Sequence, residues 1–438
     1  MKKLVVFLRH NNDLDHITPV LYKWITTKQI PIDIIITSDS SLLEDYRIKY
    51  LKDISKTHAD VHIYHINDFF AGHFWHWFNN FYSRNSTKLD SYDFIRNRIN
   101  SVVKQLFYNL FNFENGNQYL VCFDWNSNYF IKFFTALCHV NHIPVVALPH
   151  GDEPYFNQLQ KDSDVNFAQS LIPYTKRKIF DTVVVPNQLC ANHYEFMADK
   201  IEVLGSPRYC DEWIPINDSI KPKVPYISQP GNTLKIVLFL RNKHWPINWP
   251  EMVNIIKLIT QFDRTYLIVK NHARGNETYD ITWRHPELNS LKNMYIDSSL
   301  NASSLIDWAD LVIDVGTSTC WEAIKKDKPI LMLDYVCGNN PTISHYAPKT
   351  SITCRDDLFD NIRKFIKNPK RQLISEYQKH KFIKEIIGTE NILENYCNFL
   401  EKTLNDKPKT EVKEKSTIDR LVDNDWGPDS SRDNVPPL

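Results

Sequence analysis

The sequence predicts an α/β protein of two domains, each a parallel sheet wrapped by helices. Three observations carry that prediction. Short apolar runs alternate with helical patterns through the first half of the chain, the βα repetition that favours a parallel sheet. A second βα series begins at Leu234, after a proline-bearing stretch. The length, 438 residues, is enough for two domains of ordinary size and a sizeable core.

Taken in order, strands are expected at Leu4–Leu8, Ile32–Thr37, Val61–His65, Tyr119–Phe123, Val145–Leu148 and Thr182–Val185. Helical patterns fill Thr18–Thr27, Leu42–Leu51, Asp90–Phe111, Tyr129–Val140 and Gln188–Met197. A short strand at Ile201–Leu204, then the turn Gly205-Ser206-Pro207-Arg208-Tyr209, closes a first domain spanning 1–213. Ile214 to Asn232 carries four prolines and little periodicity, and reads as a linker. The second domain, 233–371, starts with the strand Leu234–Leu240. A helical segment follows at 372–404. From 405 to 438 the chain is charged and too poor in large apolar residues to order itself.

Composition narrows the class. The 52 basic and 52 acidic side chains cancel, so no global field draws the protein to nucleic acid. Eight cysteines are scattered without a C-x-x-C pair, which suits buried thiols in a reducing compartment rather than a disulfide frame or a zinc site. No apolar run approaches the roughly 18 residues that span a bilayer, and the opening run Leu4–Leu8 is stopped by Arg9. A cytoplasmic protein is expected.

Two stretches of the second domain carry the chemistry. Leu311–Val315 is a short apolar run, as in a strand covered on both faces. Gly316-Thr317-Ser318-Thr319 then offers N–H groups and three hydroxyls at a helix start, which suits a phosphate. Glu322, three residues after Thr319, fits the reciprocal half of a capping box. An ordinary capped helix explains the turn equally well. Tyr266–Lys270 is a strand that delivers Asn271-His272-Ala273-Arg274-Gly275 at its C-terminal end. Two parallel strands ending this way place a basic cluster and a hydroxyl-rich turn on one rim, where ligands of open α/β sheets bind. Together they point to a phosphate or nucleotide site.

At these residues the chain resembles a family. Val203–Tyr209 is similar to the end of the first domain in bacterial GT-B glycosyltransferases, and Lys270–Arg274 to their Lys-Pro-His-Pro region. Asp310–Glu322 with Lys328–Asp334 resembles their donor-binding strand-turn-helix. The retaining β-Kdo transferases of bacterial surface polysaccharide assembly are the match proposed overall. The resemblance implies a GT-B architecture, two Rossmann-like domains with parallel sheets facing a central cleft. It further implies transfer of β-Kdo from CMP-Kdo to a lipopolysaccharide O-antigen or capsule glycan, with retention through a carboxylate nucleophile. A lipid-linked glycan acceptor and peripheral association with the inner face of the bacterial inner membrane belong to the same expectation. The alternatives are a CDP-glycerol-type glycerophosphotransferase, another nucleotide-sugar enzyme of this architecture, or an inactive scaffold.

A CMP-activated sugar has one phosphate, so the site must grip a single phosphate and a ribose. His272 and Arg274 supply charge-assisted donors, and Thr317, Ser318 and Thr319 supply hydroxyls. Lys270, Gly316, Glu322, Arg208 and Arg241 complete the expected donor set, with Arg208 either reaching across the hinge to the donor or pinning the linker, and Arg241 suiting a surface loop equally well. No cofactor and no metal are expected, because no Asp-x-Asp pair suits a cation with a diphosphate. On the first domain, His150-Gly151-Asp152-Glu153 follows an apolar strand and resembles the His-Gly turn of capsule and teichoic-acid transferases. A carboxylate there, Asp152 or Glu153, suits a general base, and a solvated turn is the plainer alternative. Arg9, His10, Asn11, Asp124 and Trp125 also end strands at this rim and are acceptor candidates. Asn232 falls where the resembled family carries its acidic nucleophile, and an amide lacks both the charge and the nucleophilicity; a plain Gly-Asn turn explains the position equally. The aromatic run Phe69–Tyr82 suits stacking on sugar or a membrane interface, and equally a core wedge between domains.

Overall fold

The computed structural model describes residues 1–37, 40–58, 60–70, 93–113, 116–125, 128–151, 179–194, 198–225, 233–241, 247–272, 281–337, 341–388 and 390–406. Among the described residues twelve strands form two sheets, parallel throughout. The first holds β1 (Lys2–Leu8), β2 (Ile32–Ile36), β3 (Val61–His65), β4 (Gln118–Asp124), β5 (Val145–Leu148), β6 (Phe180–Val185) and β7 (Ala198–Val203), in the order β3-β2-β1-β4-β5-β6-β7. The second holds β8 (Leu234–Phe239), β9 (Thr265–Lys270), β10 (Met294–Asp297), β11 (Leu311–Asp314) and β12 (Ile330–Met332), in the order β10-β9-β8-β11-β12.

Strand alternation divides the apolar residues between two faces. In β1, Val5 and Phe7 join the core under the helices Asp93–Leu110 and Tyr129–Val140. Leu4, Val6 and Leu8 join the core on the opposite face, under Asn11–Thr27 and Tyr46–Ser55. Aromatic rings fill the first face: Phe7 stacks on Phe123 at 4.7 Å and meets Phe134 edge-on at 5.0 Å. Such pairs add about 0.5–1.5 kcal/mol each beyond the area they bury. The second sheet repeats the pattern, with Ile236 and Leu238 on one face of β8 and Val237 and Phe239 on the other.

The chain end returns to the first domain. Helix Ile392–Asn405 buries Leu393, Tyr396, Cys397, Leu400 and Leu404 in the core that contains β1. The outgoing and returning segments meet at two glycines. Gly205 (φ +91°) and Gly388 (φ +103°) lie so close that a Cβ on Gly388 would sit 2.9 Å from the Gly205 Cα. Ser206 N donates to Ile387 O at 2.6 Å, Asn187 Nδ2 to Ile386 O at 3.0 Å, and Tyr396 Oη to Gly205 O at 2.9 Å. Both crossings between the sheets are thus pinned at one joint.

Several expectations are corrected. The helix expected from Thr18 starts at Asn11 and carries Pro19 inside it. Pro19 sits in the helix interior, where it removes the bond to the Asp15 carbonyl and its ring crowds that carbonyl. Within the stretch read as linker, Trp213–Ile220 is a helix, with Trp213 buried against the first domain. The aromatic run is described only at Phe69 and Phe70, which pack against the core; its residues 71–82 lie outside the described residues, as do 407–438. Seven of the eight cysteines are buried and Cys354 is exposed, all as free thiols. Among the described residues no helix is long and apolar enough to cross a membrane.

Candidate functional site

In each sheet the strand order reverses once, between β1 and β4 and between β8 and β11. Ligands of open α/β sheets bind outside the carboxyl ends of the strands at such switch points. Both rims carry unusual side chains.

On the first rim, β1 runs into Arg9 and His10, β4 ends in Asp124, and β5 leads to His150. Asp13, in the first turn of the following helix, is fully buried. One of its oxygens accepts from the Arg9 N–H (2.7 Å) and the His10 N–H (2.9 Å), and the other meets His150 Nδ1 at 2.6 Å. Asp124, also buried, meets the same Nδ1 at 3.0 Å and the Arg9 guanidinium at 3.1 Å. Ionised carboxylates only accept, so the Nδ1 held between two of them carries a proton, and in that tautomer Nε2 is the ring's acceptor nitrogen. Burial pushes Asp124 up, but Arg9 and the His150 hydrogen bond outweigh it and hold its carboxyl well below the usual range. His10 is pushed down to about 4 by burial and then by Arg9, so its ring is neutral at pH 7. Asp13, Asp124 and His150 place ligand atoms within 4.8 Å of one another, a spacing that suits a cation. Arg9 and two backbone amides already supply the balancing donors.

On the second rim, Arg241 follows β8 and Gly316 follows β11, and the two meet. A Cβ on Gly316 (φ +90°) would lie 3.3 Å from Pro341 Cγ and 3.8 Å from Arg241 Cζ. The turn is closed from within by Asp314, a fully buried residue. Its carboxylate accepts from Gly316 N and Thr317 N, both at 2.6 Å, and from Thr317 Oγ1 at 2.7 Å. Burial pushes Asp314 up to about 6, against the Thr317 donors and Arg241. The donors expected from Gly316 and Thr317 are therefore taken by their own turn. Ser318 and Thr319 are the hydroxyls of the turn that keep no partner among the described residues.

The capping box is also corrected. Glu322 is buried, accepts from Ser303 Oγ and pairs with Lys326 at 3.0 Å. Its carboxylate is drawn inward because Ser303 and Lys326 offer a donor and a full charge. Lys270 is likewise buried and donates to the carbonyls of Asn271 (3.1 Å) and Ser298. Burial pushes it down to about 8, and its ammonium ties the ends of β9 and β10 together. His272 stands two residues beyond β9 on this rim. Arg274, Asn232, Asp152 and Glu153 lie outside the described residues.

Between the two rims, Arg208 donates to Asp15 of the first domain at 2.9 Å, and Arg47 pairs with the same carboxylate. Tyr209 Oη donates to the Ser318 carbonyl at 2.7 Å, joining the hinge to the second-domain turn. The sequence reading missed Asp13, Asp15 and Asp314. Asp13 was legible only through the helix start, as an acidic residue in a first turn.

No family profile and no curated protein match the sequence; the fold, however, is shared with many solved structures. A UDP complex of MnaA from S. aureus aligns with TM-score 0.55 at 14% identity, over 94% of this chain and 100% of that one. UDP-GlcNAc 2-epimerase from Neisseria meningitidis, bound to UDP-GlcNAc, aligns with TM-score 0.53 at 14% identity, over 92% and 99%. A glycosyltransferase from Rickettsia africae aligns with TM-score 0.50 at 14% identity, over 92% and 99%. With two parallel sheets and this likeness, the protein has the GT-B fold.

Proposed function

We propose that this protein is a glycosyltransferase that moves a sugar from a nucleotide-activated donor onto a glycan hydroxyl. The observation that carries the reading is the His150 imidazole, fixed by two buried carboxylates at the switch point of the first sheet. With Nδ1 bound to Asp13 and Asp124, Nε2 is suited to take the proton of an acceptor hydroxyl as it attacks the anomeric carbon. The donor side falls to the second rim, where His272 meets the phosphate and Ser318 and Thr319 add hydroxyl donors; the sequence offers Arg274 as a further cation for it. Positive charge there stabilises the departing nucleotide.

The finer reading is β-Kdo transfer from CMP-Kdo to a lipid-linked glycan, supported by the family resemblance of Val203–Tyr209, Lys270–Arg274 and Asp310–Glu322. CMP at a hundred times its Kd should add about 2.7 kcal/mol of stability, seen as a raised melting point, while UDP adds less. His272→Ala and Arg274→Ala should each weaken CMP by about 1.5–3 kcal/mol. Equal stabilisation by UDP and CMP would remove the CMP assignment. Conversion of UDP-GlcNAc to its 2-epimer without an acceptor would replace transfer by epimerisation.

Two further outcomes follow from the donor side. Because protein cations and hydroxyls face the phosphate, transfer should continue in EDTA; a strict magnesium requirement points to a diphosphate donor instead. Retention through a carboxylate gives Asn232→Asp a distinctive result, a trapped glycosyl-enzyme ester visible as added mass on the peptide containing residue 232. If no such mass appears while Asn232→Asp still binds CMP, the nucleophile lies elsewhere.

A further inference from the structure

Beyond the edge strand β12 the second domain has a cavity of about 620 Å³. Its walls come from the helix Thr342–Tyr346, the turn Pro348–Thr350 and the segment leading into the helix Glu376–Phe382. The rim described above belongs to the ends of β8, β9 and β11, whereas this cavity lies past the last strand of the sheet.

Its lining has an unusual charge balance. Among the described residues no carboxylate lines it, although the chain as a whole has as many acidic as basic side chains. Lys349 and Lys381 supply the cationic groups. Neither lysine makes an ion pair among the described residues, while Lys379, on the same helix as Lys381, is paired with Asp327. Lys381 Nζ lies 5.7 Å from the centroid of the Tyr346 ring. The Tyr346 hydroxyl donates to Glu385 at 2.8 Å, which engages a nearby carboxylate outside the lining. Tyr377, 77% exposed, adds a second aromatic face. Gln378 Oε1 accepts from Ser375 N and Oγ at 3.0 and 3.1 Å, so its amide NH₂ is the end suited to a ligand.

We infer that this cavity is a second saccharide site, separate from the transfer cleft, that takes a segment of an acidic oligosaccharide. Tyr377 and Tyr346 offer faces for sugar rings, Gln378 offers an amide for hydroxyls, and Lys349 with Lys381 offers charge-assisted donors to sugar carboxylates. The volume falls within the ordinary range of ligand sites, about 300–1,000 Å³. The choice of ligand rests on the sugar-transfer reading; the binding itself needs no turnover. A glycan held here stays tethered while its end is in the cleft, and tethering raises the effective concentration of that end.

The test is calorimetric titration of the full chain with tetragalacturonate, with cellotetraose as the neutral control and CMP as the cleft ligand. Tetragalacturonate should bind, cellotetraose at least tenfold more weakly, and CMP should not displace either. The double variant Lys349→Gln/Lys381→Gln and the single variant Tyr377→Ala should each lose tenfold or more in affinity with an unchanged melting point. Asp124→Asn, in the cleft, should bind the acid oligosaccharide as before. Absence of binding, equal binding of the neutral sugar, displacement by CMP, or full affinity in the double variant would each overturn the proposal. Retained binding in a protein that shows no transfer would count against the transferase reading alone.

Discussion

Replacing His150 with alanine should lower the transfer rate by about 10²–10⁴-fold, the usual contribution of a positioned general base. The loss should fall on turnover at saturating donor, with CMP affinity unchanged, because His150 stands on the first rim and the phosphate site on the second. The fold should survive the change. Asp124 retains Arg9, and Asp13 retains the amides of Arg9 and His10. Asp13→Asn tests the same idea by another route, since Asp13 bears on the reaction through its contact with His150. It removes the charge at 2.6 Å from Nδ1 without touching the reacting atoms. A smaller fall in turnover, again with unchanged CMP affinity, is expected. A rate within threefold of wild type in His150→Ala would place the base elsewhere, with Asp152 and Glu153 next in line.

The largest loss of stability should come from Gly388→Ala. At φ +103° an L side chain is strained, at about 1–3 kcal/mol. The added Cβ would also press on the Gly205 Cα at 2.9 Å and on Ile392 Cδ1 at 3.2 Å. The first of these is backbone and cannot rotate away. Gly205 has no room to retreat, since its own Cβ position is occupied by Ile392 at 2.8 Å. A total above about 3 kcal/mol is expected, read as a shifted midpoint in denaturant titration. Gly116→Ala is the internal comparison: φ is +66°, but nothing lies within 4 Å of the new Cβ. It should cost only the conformational part. Equal costs at the two positions would mean that the joint yields freely.

Much of the architecture was legible because buried parallel strands announce themselves as short apolar runs. β3 and β5 and the helix Tyr129–Val140 fall where periodicity put them. The elements that escaped are informative. β10 is only partly buried, at Met294–Asp297, and so shows no continuous apolar run. Helix Trp249–Thr260 was passed over although its signals are present: an Asn248 cap, Pro250 in the first turn, and buried Met252, Val253, Ile256 and Ile259 at helical spacing. The site was legible only as strand ends. Basic and hydroxyl residues after β8, β9 and β11 were singled out, as was His150 after β5. That Asp314 would turn its carboxylate onto Gly316 and Thr317, or that Asp13 would reach His150, depends on side-chain direction across 137 residues in the second case. Linear spacing holds no record of that.

The return of Ile392–Asn405 to the first domain bears on the order in which the protein comes into being. The second sheet is built from one continuous stretch of chain and can assemble as soon as that stretch exists. The first cannot. One face of β1 awaits Leu393, Tyr396, Leu400 and Leu404, and Lys2 is joined to Asn405 by a hydrogen bond. During synthesis, therefore, the earlier domain waits with one apolar face only partly covered, by Asn11–Thr27 and Tyr46–Ser55, until the later one has been made. Contacts between such distant residues are slow to form, and exposed apolar surface invites aggregation meanwhile. Nascent chains stalled before Ile392 should engage chaperones through the first domain, and release of Ile392–Asn405 should complete that domain.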